Sequence, residues 1–291
     1  MKQINTNTLP AGVGRFLKSF SCVILLFLIS FPEHISAQGN LLVTPRRVVF
    51  EGNQSSQEIN LANTGQDSAT YAISFVQYRM TDDGRFEQIE EPDPGQKFAD
   101  KMIRYFPRTV NLGPGEAQMV RMQLRRSSTI EPGEYRSHMY FRAVPKERAL
   151  GEEEQLSDTT AIGIRLTPIF GITIPVIVRE GNPQATVTLD QLKLEAVNDS
   201  IHKLEMVFMR NGDKSVYGDL TVEYVSPGGD AIPMGLVRGI AVYTPNTSRK
   251  FQMDLEIPSA VNMKEGVLVV KYTNAEETGK SILAEKTLIF N

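Results

Sequence analysis

Side chains able to do chemistry are sparse and scattered in this chain. Beyond residue 37 it has two histidines, His138 and His202, and no cysteine, because the single Cys22 lies upstream. No Cys-x-x-Cys, His-Glu-x-x-His, Gly-x-Ser-x-Gly or glycine-rich phosphate loop occurs. Asp82-Asp83-Gly84 has the opening of a calcium loop but lacks the further oxygen ligands and the closing Glu, so it reads as a turn. Glu90-Glu91 and Glu152-Glu153-Glu154 read as solvated loop faces rather than acid–base pairs. His138 stands beside Met139 in a strand and reads as a hydrogen-bonded structural histidine. Three sequons, at Asn53, Asn198 and Asn246, are expected by chance at this composition. Nothing assembles a nucleophile, a base and an oxyanion site, so the chain reads as no enzyme, with no cofactor and no metal.

What the residues offer instead is a surface for another polypeptide. Every even position from 162 to 176 is apolar: Ile162, Ile164, Leu166, Pro168, Phe170, Ile172, Ile174 and Val176. The odd positions are mostly small or polar, Gly163, Arg165, Thr167, Gly171 and Thr173 among them. Side chains alternate faces along a strand, so residues 161–176 predict one extended segment with a continuous apolar face. Ordinary strands run roughly 3–10 residues, and Pro168 has no N–H to donate, which places this one at a sheet edge. Proteins usually blunt such an edge, because unpaired backbone beside apolar side chains invites a second chain. Keeping it points to donation of the strand to a client, through Ile162, Ile164 and Leu166, with Phe170 added if the register continues past Pro168. A long strand paired wholly within its own domain is the alternative.

The elements that must carry this strand are also β. Ile59 and Leu61 alternate with Glu58 and Asn60; Tyr71, Ile73 and Phe75 alternate before the turn Thr81-Asp82-Asp83-Gly84. Val110 and Leu112 lead into Gly113-Pro114-Gly115, after which Val120, Met122 and Leu124 alternate with Arg121, Gln123 and Arg125. Residues 146–160 are charged and apolar-poor and read as a solvated loop leading into the long strand. Past Arg179-Glu180-Gly181-Asn182-Pro183 the β pattern starts again, with Val187, Leu189, Leu204, Met206, Phe208, Leu220, Val222 and Tyr224 as core candidates. The expected fold class is therefore all-β, as β-sandwiches, with residues 38–180 and 181–291 as two domains.

The first 37 residues read as a cleaved signal peptide. Lys2, Arg15 and Lys18 precede an apolar run from Phe20 to Phe31, and Ile35-Ser36-Ala37 precedes Gln38. The run is short of the about 20 apolar residues a membrane span needs. Removing it takes away three positive charges and one negative, moving the formal net charge from −3 to −5. That mild acidity argues against a nucleic-acid partner, which calls for a basic surface. An exported chain without disulfides must be held by burial alone, which two ordinary domains can do.

In order and spacing these features resemble the periplasmic pilus-assembly chaperones, the PapD-like family. Arg46-Arg47-Val48-Val49-Phe50-Glu51-Gly52 resembles the end of their first strand. Tyr105-Phe106-Pro107-Arg108 through Gly113-Pro114-Gly115-Glu116, with Val120-Arg121-Met122, resembles their proline-led strand, Pro-Gly turn and Val-Arg strand. Pro132-Gly133-Glu134-Tyr135-Arg136-Ser137, closing at Val144-Pro145, resembles the strand that follows. The likeness covers residues 41–180, and is architectural only over 181–291.

The resemblance implies two immunoglobulin-like β-sandwich domains at an angle. It implies a periplasmic chaperone that binds secreted pilin-like or surface-fibre subunits by donor-strand complementation without ATP, handing them to an outer-membrane usher where one exists. A homodimer is a further expectation when no client is bound. In that family a basic pair anchors the client's terminal carboxylate. Arg47 matches its arginine, the other reading being a surface arginine on an edge strand; Pro175 falls where the second basic residue should stand, leaving Arg165 or Arg179 as substitutes. The loop 146–160 resembles the long-loop branch, although the disulfide of some of its members is absent. A structural or adhesive β-sandwich of the cell envelope is the alternative function.

Overall fold

Alternation in the sequence becomes pairing in the computed structural model. It describes residues 40–126, 130–145, 169–198, 200–258, 261, 264–276 and 281–290. The first eleven elements are β1 (Leu41–Thr44), β2 (Val48–Phe50), β3 (Ser56–Asn63), β4 (Ala69–Met80), β5 (Phe86–Ile89), a 3₁₀ turn at Asp100–Met102, β6 (Ile103–Phe106), β7 (Thr109–Leu112), β8 (Ala117–Leu124), β9 (Gly133–Val144) and β10 (Gly171–Glu180). After them come β11 (Ala185–Ala196), β12 (Ile201–Gly212), β13 (Val216–Val225), β14 (Ala231–Val242), β15 (Ser248–Glu256), β16 (Val267–Asn274) and β17 (Ile282–Ile289).

The chain is all-β and forms two sandwiches. In the first, a sheet of order β1-β3-β8-β6 faces one of order β2-β10-β9-β4, with β5 and β7 pairing different ends of β4. In the second, β11-β12-β15 faces β14-β13-β16-β17. Ile59 and Leu61 of β3, and Val120, Met122 and Leu124 of β8, are buried while Glu58, Asn60, Arg121 and Gln123 are exposed. These residues join Phe50, Leu112, Met139 and Phe141 in the first core. The second core gathers Leu204, Met206 and Phe208 with Leu220, Val222, Tyr224 and Tyr272. The turns fall where glycine permits them: Gly84 (φ 82°) closes the β4–β5 hairpin and Gly115 (φ 71°) the β7–β8 link, positive φ values that glycine adopts without a Cβ clash.

The described part of the long apolar strand is β10, and it continues past residue 176 to Glu180. Ile174, Val176 and Val178 are buried in the first core, with Ile172 packed against it. Ile177 points the other way and belongs to the second core, as does Met80 of β4. β10 therefore ends as a strand buried on both faces, each against a different sandwich. Its pairing is asymmetric. Gly171 to Glu180 all lie opposite β9, whereas on the other side β2 runs parallel and meets only Val176, Ile177 and Val178. Among the described residues, 171–175 are thus paired on one edge alone. Ile162, Ile164 and Leu166, like residues 1–37, lie outside the described residues.

Candidate functional site

Among the described residues, the seam between the sandwiches collects buried charges. Arg47 lies where the chain leaves β1 in one sheet for β2 in the other. Its side chain is only 9% exposed, which corrects the reading of a surface arginine. Nε donates to Glu276 Oε1 at 3.0 Å and Nη1 to the Tyr243 hydroxyl at 2.9 Å. The guanidinium also rests over the Tyr217 ring, 4.5 Å from its centre. Glu276, just past β16, receives Arg179 as well, through Nη1 and Nη2 at 3.0 and 3.1 Å. Burial would raise the Glu276 carboxyl, but Arg47 and Arg179 outweigh it and hold the group below the usual carboxylate range.

Arg179 is the hub. At the end of β10 it lies directly opposite Glu134 of β9, to which its Nε donates at 3.1 Å. It also reaches Glu51 Oε2 at 3.1 Å. Burial would weaken the charged form; Glu276 and Glu134 more than reverse this and keep the guanidinium charged above its ordinary range. Glu134 in turn accepts the Ser215 N–H at 3.2 Å and the Ser215 hydroxyl, so one buried carboxylate of the first sandwich is tied to the second. Ser215 Oγ accepts the Thr244 N–H at 2.9 Å. Arg179 is thus committed to three carboxylates and is not an uncommitted basic substitute for Pro175. Pro175 itself sits opposite His138, and Arg165 lies outside the described residues.

Glu134 and Arg136 of β9 were not read from the sequence as part of any site. With His138 they are spaced by two and share one strand face, which turns towards the seam rather than towards water. Arg136 is 2% exposed and its guanidinium lies 4.4 Å from the Tyr243 ring centre. Burial pulls its pKa down, and Arg47 adds to this. His138 packs edge-on against Tyr78 and Phe86, with its Nδ1 buried and without a partner among the described residues. Burial, then Arg136 and Arg47, lower it to about 3, so it is neutral at ordinary pH. Glu134, Arg136 and His138 at alternate positions of one strand were the available signal.

At the outer end of β10 the surroundings change. Ile169 and Phe170 are 50% and 44% exposed, and the Phe170 carbonyl accepts the Ala143 N–H at 2.9 Å, so pairing with β9 reaches beyond Gly171. Asp82-Asp83-Gly84 forms the β4–β5 turn, where Gly84 N–H donates to Thr81 O at 2.9 Å. Among the described residues no group of three His, Cys, Asp or Glu is placed to hold a metal ion. Among the described residues, the seam gathers buried arginines and carboxylates, and residues 171–175 of β10 pair on one edge alone.

No family model matches the chain, and no curated protein matches it. Solved structures do. The CsuC–CsuE chaperone–tip adhesion subunit complex of archaic Csu pili from Acinetobacter baumannii is similar at 13% identity and a TM-score of 0.46, covering 84% of this chain and 97% of that one. The Escherichia coli chaperone DraB is similar at 11% identity and 0.43, covering 86% and 96%. The chaperone–tip adhesin complex of CFA/I fimbriae is similar at 12% identity and 0.41, covering 86% and 98%. The assignment of two sandwiches rests on this chain's own strand pairing.

Proposed function

We propose that this protein is a periplasmic, ATP-independent chaperone that holds secreted fimbrial or surface-fibre subunits by lending them a strand. Residues 1–37 direct export and are removed; residues 38–180 present the donor strand and residues 181–291 back it. The observation that carries this reading is that, among the described residues, 171–175 are paired on one side only, beside the exposed Ile169 and Phe170. In strand addition, main-chain bonds supply affinity and alternate side chains set register. Burying a large aliphatic side chain contributes about 1.5–3 kcal/mol. Ile162, Ile164 and Leu166, with Phe170 as a fourth contact, then offset much of a client's incomplete core. Arg47 is the proposed anchor for the client's terminal carboxylate, which would take the place Glu276 holds.

The test is co-expression with a fimbrial subunit that lacks its own last strand. The parent chain should yield a soluble equimolar complex, and Ile164→Asp with Leu166→Asp should lose it. Equal capture by the double variant overturns the reading. Uniform amide-exchange protection over residues 162–174 in the lone protein would instead favour a structural or adhesive envelope module.

A further inference from the structure

The outer face of the β1-β3-β8-β6 sheet is separate from the strand-lending edge, because β10 belongs to the other sheet. It is also not the polar face that a solvated sheet presents. Alternation buries Leu41, Val43, Ile103, Val120 and Met122 and turns alternate residues outward. Three of the outward residues are large and apolar: Leu42 is 45% exposed, Met119 51% and Phe106 77%. Register joins them into one diagonal. Leu42 lies opposite Ala62, which lies opposite Ala117. Met119 is two residues further along β8, and Phe106 of β6 sits opposite the next outward residue, Arg121. Each of the four strands thus contributes to a band about 14 Å across, at about 4.8 Å per strand spacing.

Positive charge flanks the band. Arg121 pairs with Glu58 on β3 at 3.0 Å. Arg104, opposite Gln123, and Arg125, just past β8, are exposed and have no carboxylate partner among the described residues. Three arginines against one carboxylate leave this face positive, in a chain whose formal net charge is −3. That charge selects the occupant. A second copy of the face would set guanidiniums against guanidiniums, whereas an anionic partner pairs with them. A bilayer answers both halves of the pattern at once. Headgroup phosphates suit the guanidinium forks, and acyl chains receive apolar side chains that are strung across four strands rather than gathered at one spot. We propose that this face lies against an anionic phospholipid bilayer, with its arginines on the phosphates and Phe106 and Met119 at the headgroup–acyl boundary. The proposal stands whether or not the chain lends a strand.

The experiment is co-sedimentation of the full mature chain with vesicles of mixed phosphatidylglycerol and phosphatidylcholine, and with vesicles of phosphatidylcholine alone. A basic residue near an anionic surface gives about fivefold in affinity, so a net charge of two should bind the mixed vesicles about 25-fold more tightly at low salt. The preference should fade as salt rises. Arg104→Gln should weaken binding to the mixed vesicles about fivefold, and Phe106→Ser about tenfold or more. Arg79→Gln, which removes an exposed arginine on β4 paired with Asp93, should bind as the parent does. All three side chains are exposed, so each variant should keep the parent's Tm. Equal binding to both kinds of vesicle overturns the proposal, as does parental binding by either Arg104→Gln or Phe106→Ser. A dimer that forms without lipid and is lost in Phe106→Ser overturns it in favour of a second copy. Retention on immobilised polyglutamate, with no binding to vesicles, overturns it in favour of an acidic polypeptide.

Discussion

Replacing Arg179 by Met should be among the most damaging single changes in the chain. The side chain is 1% exposed and faces Glu134 at 0%, so its loss strands a carboxylate that water cannot reach. The other two partners soften nothing at that position. Glu51 is half exposed, where an ion pair contributes about 0–1 kcal/mol, and Glu276 keeps Arg47. Breaking one side of a buried pair costs about 3–5 kcal/mol. At roughly 2–4 °C per kcal/mol for a chain of this size, Tm should fall by about 6–20 °C. Adding Glu134→Gln should recover a large part of this, because a neutral amide can still serve the Ser215 hydroxyl without an orphaned charge. Urea unfolding of both single variants and the double variant gives the coupling directly. An Arg179→Met chain within about 1 kcal/mol of the parent, or a double variant whose loss is the sum of the singles, would refute the account of the seam.

Acid should weaken the protein through His138. Its folded-state pKa, about 3, lies below the ordinary 6.5, so the unfolded chain binds the extra proton across that window and stability falls as pH drops through it. The slope is about 1.4 kcal/mol per pH unit, and urea midpoints at pH 6 and pH 5 should show it in the parent but not in His138→Phe. Glu276 acts in the same direction lower down: its depressed pKa gives stability that is present above the ordinary carboxylate range and lost as pH falls through the folded value. Glu276→Gln should therefore flatten the most acidic limb, and it should tighten binding of a free-carboxyl peptide several-fold while leaving an amidated one unchanged. Phe170→Asp should cost less than about 0.5 kcal/mol in stability, being exposed, yet reduce client capture on pull-down. Ile174→Ala, at 2% exposure, should cost about 2–5 kcal/mol by calorimetry.

Much of the fold was legible because one sheet face meets water. β3 and β8 alternate cleanly, and the Gly84 and Gly115 turns announce themselves through residue types that tolerate positive φ. Legibility failed where both faces are covered. β10 was expected to end near Val176, since Ile177 breaks the alternation; it does so because the second sandwich buries that face, on which three carboxylates also cover Arg179. β14 carries Pro233, Gly235 and Gly239, and its pairing with β13 slips twice, so it offered no regular period to read. The seam was the least visible feature. Charged residues in a strand are ordinarily solvated, and nothing local tells Arg136 or Arg179 that Glu276, far along the chain, or Tyr243 will cover them.

The short parallel strand β2 has a mechanical consequence. It grips β10 at Val176–Val178 and stops there, so among the described residues the root of the ribbon is held on both flanks while the outward half is held on one. In the strand-lending reading proposed above, a guest laid along that flank would halt where Val48 begins. Such an end-stop would work as a ruler: it would limit how far the guest can slide and so assign each of its side chains its own seat.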